Sequence, residues 1–269
     1  MIFFISYGDD RFKESLNRIA HQAQRIGIFD RIIKYGPKDL PEFIKASPLF
    51  AFERGGGYWV WKPYIVYQTL NHCKDGDIIV YADAGCTLCK DSPEWDYYLN
   101  LLNSHSAIFF HYREDYDYGW KSIRESCNDA VALKHWMKPS LIRFYNGFLQ
   151  SDYLDYSKVL GGFFIIKKTN NSLKTIDVWY KITLFHPELV MDSPYEGAID
   201  DSPDFFEHRH DQAVLSPLVY HFQSEDGLVI LPETAESKIG HPAVIADRWK
   251  QGKSSILWKT KYLIWNLLH

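Results

Sequence analysis

The sequence of 269 residues contains four cysteines and no apolar run long enough to cross a bilayer. A membrane-spanning helix needs about 18 or more apolar residues. The apolar start, Met1 to Ile5, is too short for a signal peptide and lacks a basic segment. We therefore expect a cytoplasmic protein. Cys86 and Cys89 form a CxxC pair, but no second pair follows at zinc-ribbon spacing, so reduced thiols are expected.

Excess positive charge and the common glycine-rich nucleotide motifs are also absent. The formal net charge is −4, which does not favour binding to nucleic acid. The phosphate-binding pattern GxxxxGK[ST] does not occur, and no GxG follows the first predicted strand. Residues 1–20 contain no glycine-rich basic loop. These absences weigh against a Walker-type loop, a Rossmann methyltransferase and a sugar nucleotidyltransferase.

The spacing of apolar residues predicts an α/β fold. Residues 1–7 and 29–35 are typical of buried strands, and the apolar positions between them recur at helical spacing. A strand–helix–strand unit implies a parallel sheet. Further strands are predicted at 77–82, 107–112 and 160–167, and further helices from Pro63, around 173–182 and at 210–218. We predict a Rossmann-like, mixed but mainly parallel central sheet flanked by helices.

Two units are predicted along the chain. Residues 1–250 are expected to form a single domain, because no repeat, low-complexity tract or linker interrupts them. Residues 251–269 mix aromatic and basic side chains in an amphipathic tail. This tail is either a helix that lies at a membrane surface or a terminal helix that packs on the domain.

Asp83 is the most informative residue, because it directly follows the predicted strand at 77–82 and precedes Ala84 and Gly85. In open α/β sheets, ligands bind beyond the carboxyl ends of the strands. A carboxylate there, next to two small residues, can meet a metal ion, a ribose hydroxyl or a diphosphate. The alternative is an ordinary turn, since Asp is common in turns that contain Gly.

A glycine-rich segment at 54–63 could approach the same ligand. Its three glycines allow close backbone contact, and Arg54 and Lys62 could contact phosphate. Tyr58 and Trp59 are candidates for stacking on a base or a sugar. A purely structural turn is the alternative.

Six polar residues at 207–212 open a predicted helix. A helix N-terminus favours anions, and Glu207 or Asp211 could act there as a base or bind sugar hydroxyls. The alternative is a capped surface helix. Near the end of the chain, His241 could ligate a metal.

Three segments of the sequence together resemble bacterial GT-A-type glycosyltransferases of capsule and lipopolysaccharide O-antigen biosynthesis. They are RGGGYWVWKPYIVYQTL, DGDIIVYADAGC and EHRHDQAVLS. The resemblance covers most of residues 1–220. It implies a GT-A-like fold and the transfer of a sugar, most readily from a UDP-sugar, to a lipid-linked or oligosaccharide acceptor. It also implies a location at the inner face of the membrane, with peripheral association.

In that family the aspartate strand ends in a DxD motif that holds Mn²⁺ or Mg²⁺ and the donor. Here the triplet Asp83-Ala84-Gly85 lacks the second acid. The resemblance implies that Asp83, with His241, binds the metal, and that Asp211, with Glu207 as the other candidate, is the catalytic carboxylate. The remaining donor-binding residues implied are Ala84, Gly85, Arg54, Lys62, Tyr58, Trp59, Gly161, Gly162, His210 and Gln212.

Several alternatives stay open at this point. Without a metal, Arg54, Lys62 or Arg209 could neutralise the leaving diphosphate. The chain could also be a non-catalytic nucleotide-sugar or glycan-binding module, a sugar nucleotidyltransferase, or a thiol or zinc protein centred on Cys86 and Cys89. The sequence does not indicate the donor sugar, the linkage, or whether transfer inverts or retains the anomeric configuration.

Overall fold

The computed structural model describes residues 1–120, 127–149, 152–192 and 204–248. The tail predicted at 251–269 lies outside the described residues. The division of the chain into a domain at 1–250 and this tail therefore stays a prediction.

Strands and helices alternate along the first half of the chain, as the apolar spacing predicts. The strands are β1 (Ile2–Tyr7), β2 (Arg31–Tyr35), β3 (Ile78–Ala82), β4 (Thr87–Leu88), β5 (Ala107–His111), β6 (Phe163–Lys167), β7 (Leu228–Pro232) and β8 (Val244–Ile245). The helices are α1 (Lys13–Ile26), α2 (Glu42–Lys45), α3 (Gly55–Tyr58), α4 (Trp61–His72), α5 (Glu94–Leu101), α6 (Pro139–Asn146), α7 (Asn170–Phe185) and α8 (His210–Asp226). The helix predicted at 210–218 is longer than predicted. It ends at Asp226, and Gly227 after it has the left-handed backbone conformation that terminates a helix.

The central sheet has six strands in the order β2-β1-β3-β6-β5-β7 among the described residues. β1 pairs in parallel with β2 and β3, and β5 pairs in parallel with β7. Only β6 runs antiparallel to both of its neighbours. β4 and β8 form a separate antiparallel pair. The prediction of a mixed, mainly parallel sheet flanked by helices is confirmed.

The two faces of the sheet are covered by different helices, because successive side chains of a strand point to opposite faces. On one face, Tyr81 and Phe164 belong to a core that includes residues of α4, α7 and α8. On the other face, Val80 and Ile165 belong to a core that includes residues of α1 and α5. This alternation within β3 and β6 explains why both strands read as continuous apolar runs.

The antiparallel direction of β6 places Gly161 and Gly162 near Asp83. Because β6 is antiparallel, its first residue lies at the same edge of the sheet as the last residues of the parallel strands. Phe163 pairs with Ala82, the last residue of β3. Gly161 and Gly162, which precede β6, therefore reach the edge where Asp83 follows β3.

None of the described helices has the length and apolar character needed to span a membrane.

Candidate active site

Asp83 is fixed at the carboxyl edge of the sheet by backbone and side-chain contacts. Its amide donates to the carbonyl of Gly162 at 2.9 Å, and its carbonyl accepts from the amide of Cys86 at 2.8 Å. The Tyr81 hydroxyl donates to its Oδ1. Tyr81 stands two residues before Asp83, so both side chains are on the same side of the extended chain. The Asp83 side chain stays 38% exposed.

Lys62 links Asp83 to Asp211. The Lys62 Nζ lies 2.8 Å from Asp211 Oδ2 and 3.3 Å from Asp83 Oδ1. It also donates to the carbonyl of Gly161 at 3.1 Å. Lys62 is in the first turn of α4 and Asp211 in the first turn of α8, so two helix starts and the end of β3 meet at one ammonium group.

This ion-paired cluster is largely withdrawn from water. The side chains of Lys62 and Asp211 are 3% and 6% exposed. Burial lowers the pKa of Lys62, but the carboxylates of Asp211 and Asp83 more than offset it, so the pKa is raised. Burial raises the pKa of Asp211 and Lys62 lowers it, and the net direction is upward. Asp211 is therefore a better proton acceptor than an ordinary aspartate, although it is held by an ammonium group.

The two oxygens of Asp83 have different surroundings. Oδ1 contacts Tyr81 and Lys62. No hydrogen-bond donor to Oδ2 lies in the described part of the chain, and the space beside Oδ2 is kept open by a glycine. A Cβ at position 162 would lie 3.2 Å from Oδ2, which is closer than most Cβ contacts. Oδ2 is therefore the oxygen available to a cation or to a sugar hydroxyl.

A second charged network brings the glycine-rich segment to the start of α8. Arg54 lies 3.1 Å from Asp192 and 3.2 Å from Glu207, and Arg209 pairs with the other Glu207 oxygen at 3.0 Å. Tyr58 donates to Asp192 at 3.1 Å. Asp192 is the residue of this network that the sequence did not indicate.

Three aromatic residues near these networks have left-handed backbone conformations. Tyr58, Trp59 and His210 have φ values of 49°, 58° and 50°. Such conformations are costly for residues other than glycine and concentrate at functional sites. The His210 ring stacks on Trp59, with centroids 5.5 Å apart, and its Nδ1 is 2.8 Å from the carbonyl of Val190. Burial lowers the pKa of His210 to about 4, so this ring is neutral at neutral pH.

The remaining candidates are placed as follows. Gln212 donates from Nε2 to the carbonyl of Val159. Ala84 is buried, with its carbonyl accepting from Arg18 at 3.2 Å, and Gly85 is half-buried beside it. His241 is exposed, and its carbonyl accepts from Ser92 at 2.5 Å. The assignment of His241 as a metal ligand stays a prediction.

Both thiols of the CxxC pair have raised pKa values. Cys86 is buried, and burial together with the charge of Asp83 raises the pKa of its thiol well above the ordinary value. Burial also raises the pKa of Cys89 to about 12. Since thiolates are the reactive and metal-binding form, these pKa directions do not favour the alternative of a thiol or zinc centre at this pair.

Comparison with known proteins gives only distant likenesses. No protein-family model and no curated protein sequence matches the chain. Among solved structures, a glycosyltransferase involved in glycosylation of the major capsid of PBCV-1 is similar at 9% identity and a TM-score of 0.49, over 97% of each chain. Mouse xyloside xylosyltransferase 1 is similar at 11% identity and a TM-score of 0.39, over 86% of this chain and 85% of that one.

A third solved structure, mannosyl-3-phosphoglycerate synthase from Rubrobacter xylanophilus, is similar at 15% identity and a TM-score of 0.33. That likeness covers 85% of this chain and 76% of the other. Likenesses this distant carry no argument about function.

Proposed function

We propose that this chain is a glycosyltransferase that moves a sugar from a nucleotide-diphosphate sugar, with UDP as the nucleotide, to a hydroxyl group. The observation that supports it most is the asymmetry of Asp83. One oxygen is fixed by Tyr81 and Lys62, and the other is open beside Gly162. A carboxylate with one bonded and one open oxygen, at the carboxyl edge of a mainly parallel sheet, suits a nucleotide ligand.

The charges of the site favour a divalent cation over the metal-free alternative. The cations Arg54, Lys62 and Arg209 already contact carboxylates, namely Asp83, Asp192, Glu207 and Asp211. Among the described residues of the site, three cations and four carboxylates leave no surplus positive charge for a diphosphate, and His210 is neutral. Mg²⁺ and Mn²⁺ bind through one or two carboxylates plus phosphate oxygens, so the open Asp83 oxygen fits either ion. The bound ion would stabilise the charge of the leaving diphosphate.

The chain's own residues would handle the proton and the orientation of the substrates. In the reaction, an acceptor oxygen bonds to the anomeric carbon while the bond from that carbon to the diphosphate oxygen breaks. The acceptor proton passes to a carboxylate. We assign Asp211 this role, with Glu207 as the second candidate, because two guanidinium groups already pair with Glu207. Trp59, which is half-buried, would stack on the base or the sugar, whereas the predicted stacking of Tyr58 would require its buried ring to move.

The resemblance of the aromatic and aspartate-strand segments supports a finer proposal. The acceptor would be a lipid-linked or oligosaccharide precursor of a bacterial surface glycan such as O-antigen or capsule. The sugar would be a hexose, and the protein would work in the cytoplasm at the inner face of the membrane, attached peripherally.

Donor binding is expected to require a divalent cation. UDP-sugars in the presence of Mn²⁺ should raise the melting temperature, because a ligand that binds only the folded state stabilises it by mass action. With EDTA in place of Mn²⁺ the shift should largely disappear, since the part of the site that the structure describes has no surplus cation. A panel of UDP-, GDP-, dTDP- and CMP-sugars measured by thermal shift would test this and identify the nucleotide. Equal stabilisation with and without metal would support the metal-free alternative.

Consumption of the bound donor separates the enzyme from its rivals. A glycosyltransferase releases UDP when donor and acceptor are both present. A binding module would show the thermal shift without UDP release, and a nucleotidyltransferase would form pyrophosphate from a nucleoside triphosphate and a sugar phosphate. Release of UDP, followed with a coupled assay and confirmed by mass spectrometry of the product, is the deciding measurement.

Crowding the open oxygen of Asp83 should weaken donor binding. In Gly162→Ala the new Cβ would lie 3.2 Å from Asp83 Oδ2. We expect the KM for the donor to rise on the order of tenfold, equivalent to about 1.4 kcal/mol, with little change in melting temperature. Gly147→Ala is the matched control, since its Cβ would approach the Phe144 carbonyl at the same 3.2 Å. Equal KM values in both variants would contradict this assignment of Oδ2.

A further inference from the structure

A second group of metal-ligand side chains lies outside the Asp83 site. The Cys127 sulfur, a carboxylate oxygen of Asp129 and a ring nitrogen of His135 lie within 4.8 Å of one another. His135 is buried, whereas Cys127 and Asp129 are half-buried. Cys127 also lines a cavity of about 340 Å³, whose other lining residues include Tyr116, Trp120 and Asn128. An ion could reach the group from this cavity.

Both ring nitrogens of His135 face oxygen acceptors. Nδ1 lies 2.6 Å from the carbonyl oxygen of Asp204, and Nε2 lies 3.0 Å from Asp129 Oδ1. Both partners are acceptors only. A neutral imidazole has one N–H, so if Nδ1 donates to the carbonyl, the lone pair of Nε2 faces a carboxylate oxygen. Two arrangements satisfy both ring nitrogens: an imidazolium that donates to both acceptors, or a metal ion bound to both Nε2 and Oδ1. A carbonyl accepting from the other ring nitrogen is the usual support of a metal-binding histidine.

We propose that Cys127, Asp129 and His135 form a zinc site. A thiolate, an imidazole and a carboxylate are zinc ligands, and bond lengths of about 2.0–2.3 Å place tetrahedral ligand atoms about 3.3–3.7 Å apart. Nε2 and Oδ1 are 3.0 Å apart and the other separations are at most 4.8 Å, so movements of up to about 1 Å reach this geometry. Lys134 pairs with Asp129 through Oδ2, which leaves Oδ1 for the ion. A water molecule would complete the four ligands.

The backbone around His135 gives this site a role. The His135 carbonyl accepts from the amides of Phe206 and Glu207, at 2.9 and 3.1 Å, and the Trp136 carbonyl accepts from Arg209 at 3.1 Å. Zinc at His135 would therefore stabilise the segment 204–209, which carries Glu207 and Arg209 toward α8. The ion is structural in this proposal, and it is separate from the cation proposed at Asp83.

The test is metal content and metal-dependent stability of the untagged full chain. After dialysis against excess zinc and then metal-free buffer, the wild type should retain about one zinc ion per chain by elemental analysis. Cys127→Ser and His135→Gln should lose it, and zinc should raise the melting temperature of the wild type but not of these variants. Co²⁺ bound in place of zinc should show a thiolate charge-transfer band that is absent in Cys127→Ser.

Cys89→Ser is the matched control, because Cys89 is also half-buried and belongs to the CxxC pair. It should retain zinc like the wild type. If His135→Gln fails to fold, the nearly isosteric Cys127→Ser decides the question alone. A wild type that retains no zinc, a Cys127→Ser variant that binds it equally well, or a loss of zinc in Cys89→Ser would each overturn the proposal. None of these readouts depends on sugar transfer.

Discussion

Asp83→Asn should lose on the order of 10²–10³-fold in donor turnover while melting like the wild type, the cost typical of removing one preorganised electrostatic group. Asparagine has the same shape and can keep its carbonyl oxygen toward Tyr81 and Lys62. Its amide nitrogen then occupies the open position beside Gly162. That position changes from an anionic acceptor to a neutral donor, which can ligate no cation. The measurement is UDP release at saturating acceptor, with and without Mn²⁺.

The control for this substitution is Asp75→Asn, which removes an exposed carboxylate from the turn before the same strand. Its turnover should equal that of the wild type. The Asp83 variant should also lose the thermal shift produced by UDP-sugar and Mn²⁺. Wild-type turnover in Asp83→Asn would refute the site, whereas a large drop in its melting temperature would show that the carboxylate supports the fold instead.

The position of Asp83 was predictable because it depends on local pattern. An apolar run of strand length ends at a carboxylate, and an α/β sheet places such ends at one edge. Asp211 was predictable for a related reason, since polar residues open a helix whose next turns are apolar. Both interpretations use periodicity and element ends, which a single sequence records directly.

The partners of these two carboxylates were harder to predict, because they depend on which elements become neighbours. The sequence predicts Lys62 as a phosphate ligand, whereas the structure buries its ammonium group between Asp83 and Asp211. For Tyr81 the sequence predicts only a strand position, although the two-residue offset from Asp83 places both side chains on one side of the strand. The antiparallel direction of β6, which brings Gly161 and Gly162 to the site, has no local signal. Asp192 begins a polar, acidic stretch of the sequence that has no apolar period.

Lys62→Met should have the largest effect on stability of any single substitution at this site. It removes the counter-ion of Asp211, whose side chain is 6% exposed, and the second partner of Asp83 Oδ1. Breaking a buried ion pair by removing one partner costs about 3–5 kcal/mol. Urea unfolding of the variant and the wild type would measure this loss in free energy of unfolding. Lys174→Met is the control, because its pair with Glu225 is exposed and should contribute about 0–1 kcal/mol.

The pH dependence of Lys62→Met tests whether the lost stability comes from a buried charge. Without Lys62, burial raises the pKa of Asp211 further above its unfolded value. The folded state then binds more protons than the unfolded state, so stability falls as pH rises. The loss in free energy of unfolding relative to the wild type should therefore be smaller at about pH 5 than at about pH 8. Adding Asp211→Asn should restore much of the stability and none of the turnover. A deficit independent of pH would mean that lost packing around the lysine stem, rather than the unpaired carboxylate, destabilises the variant.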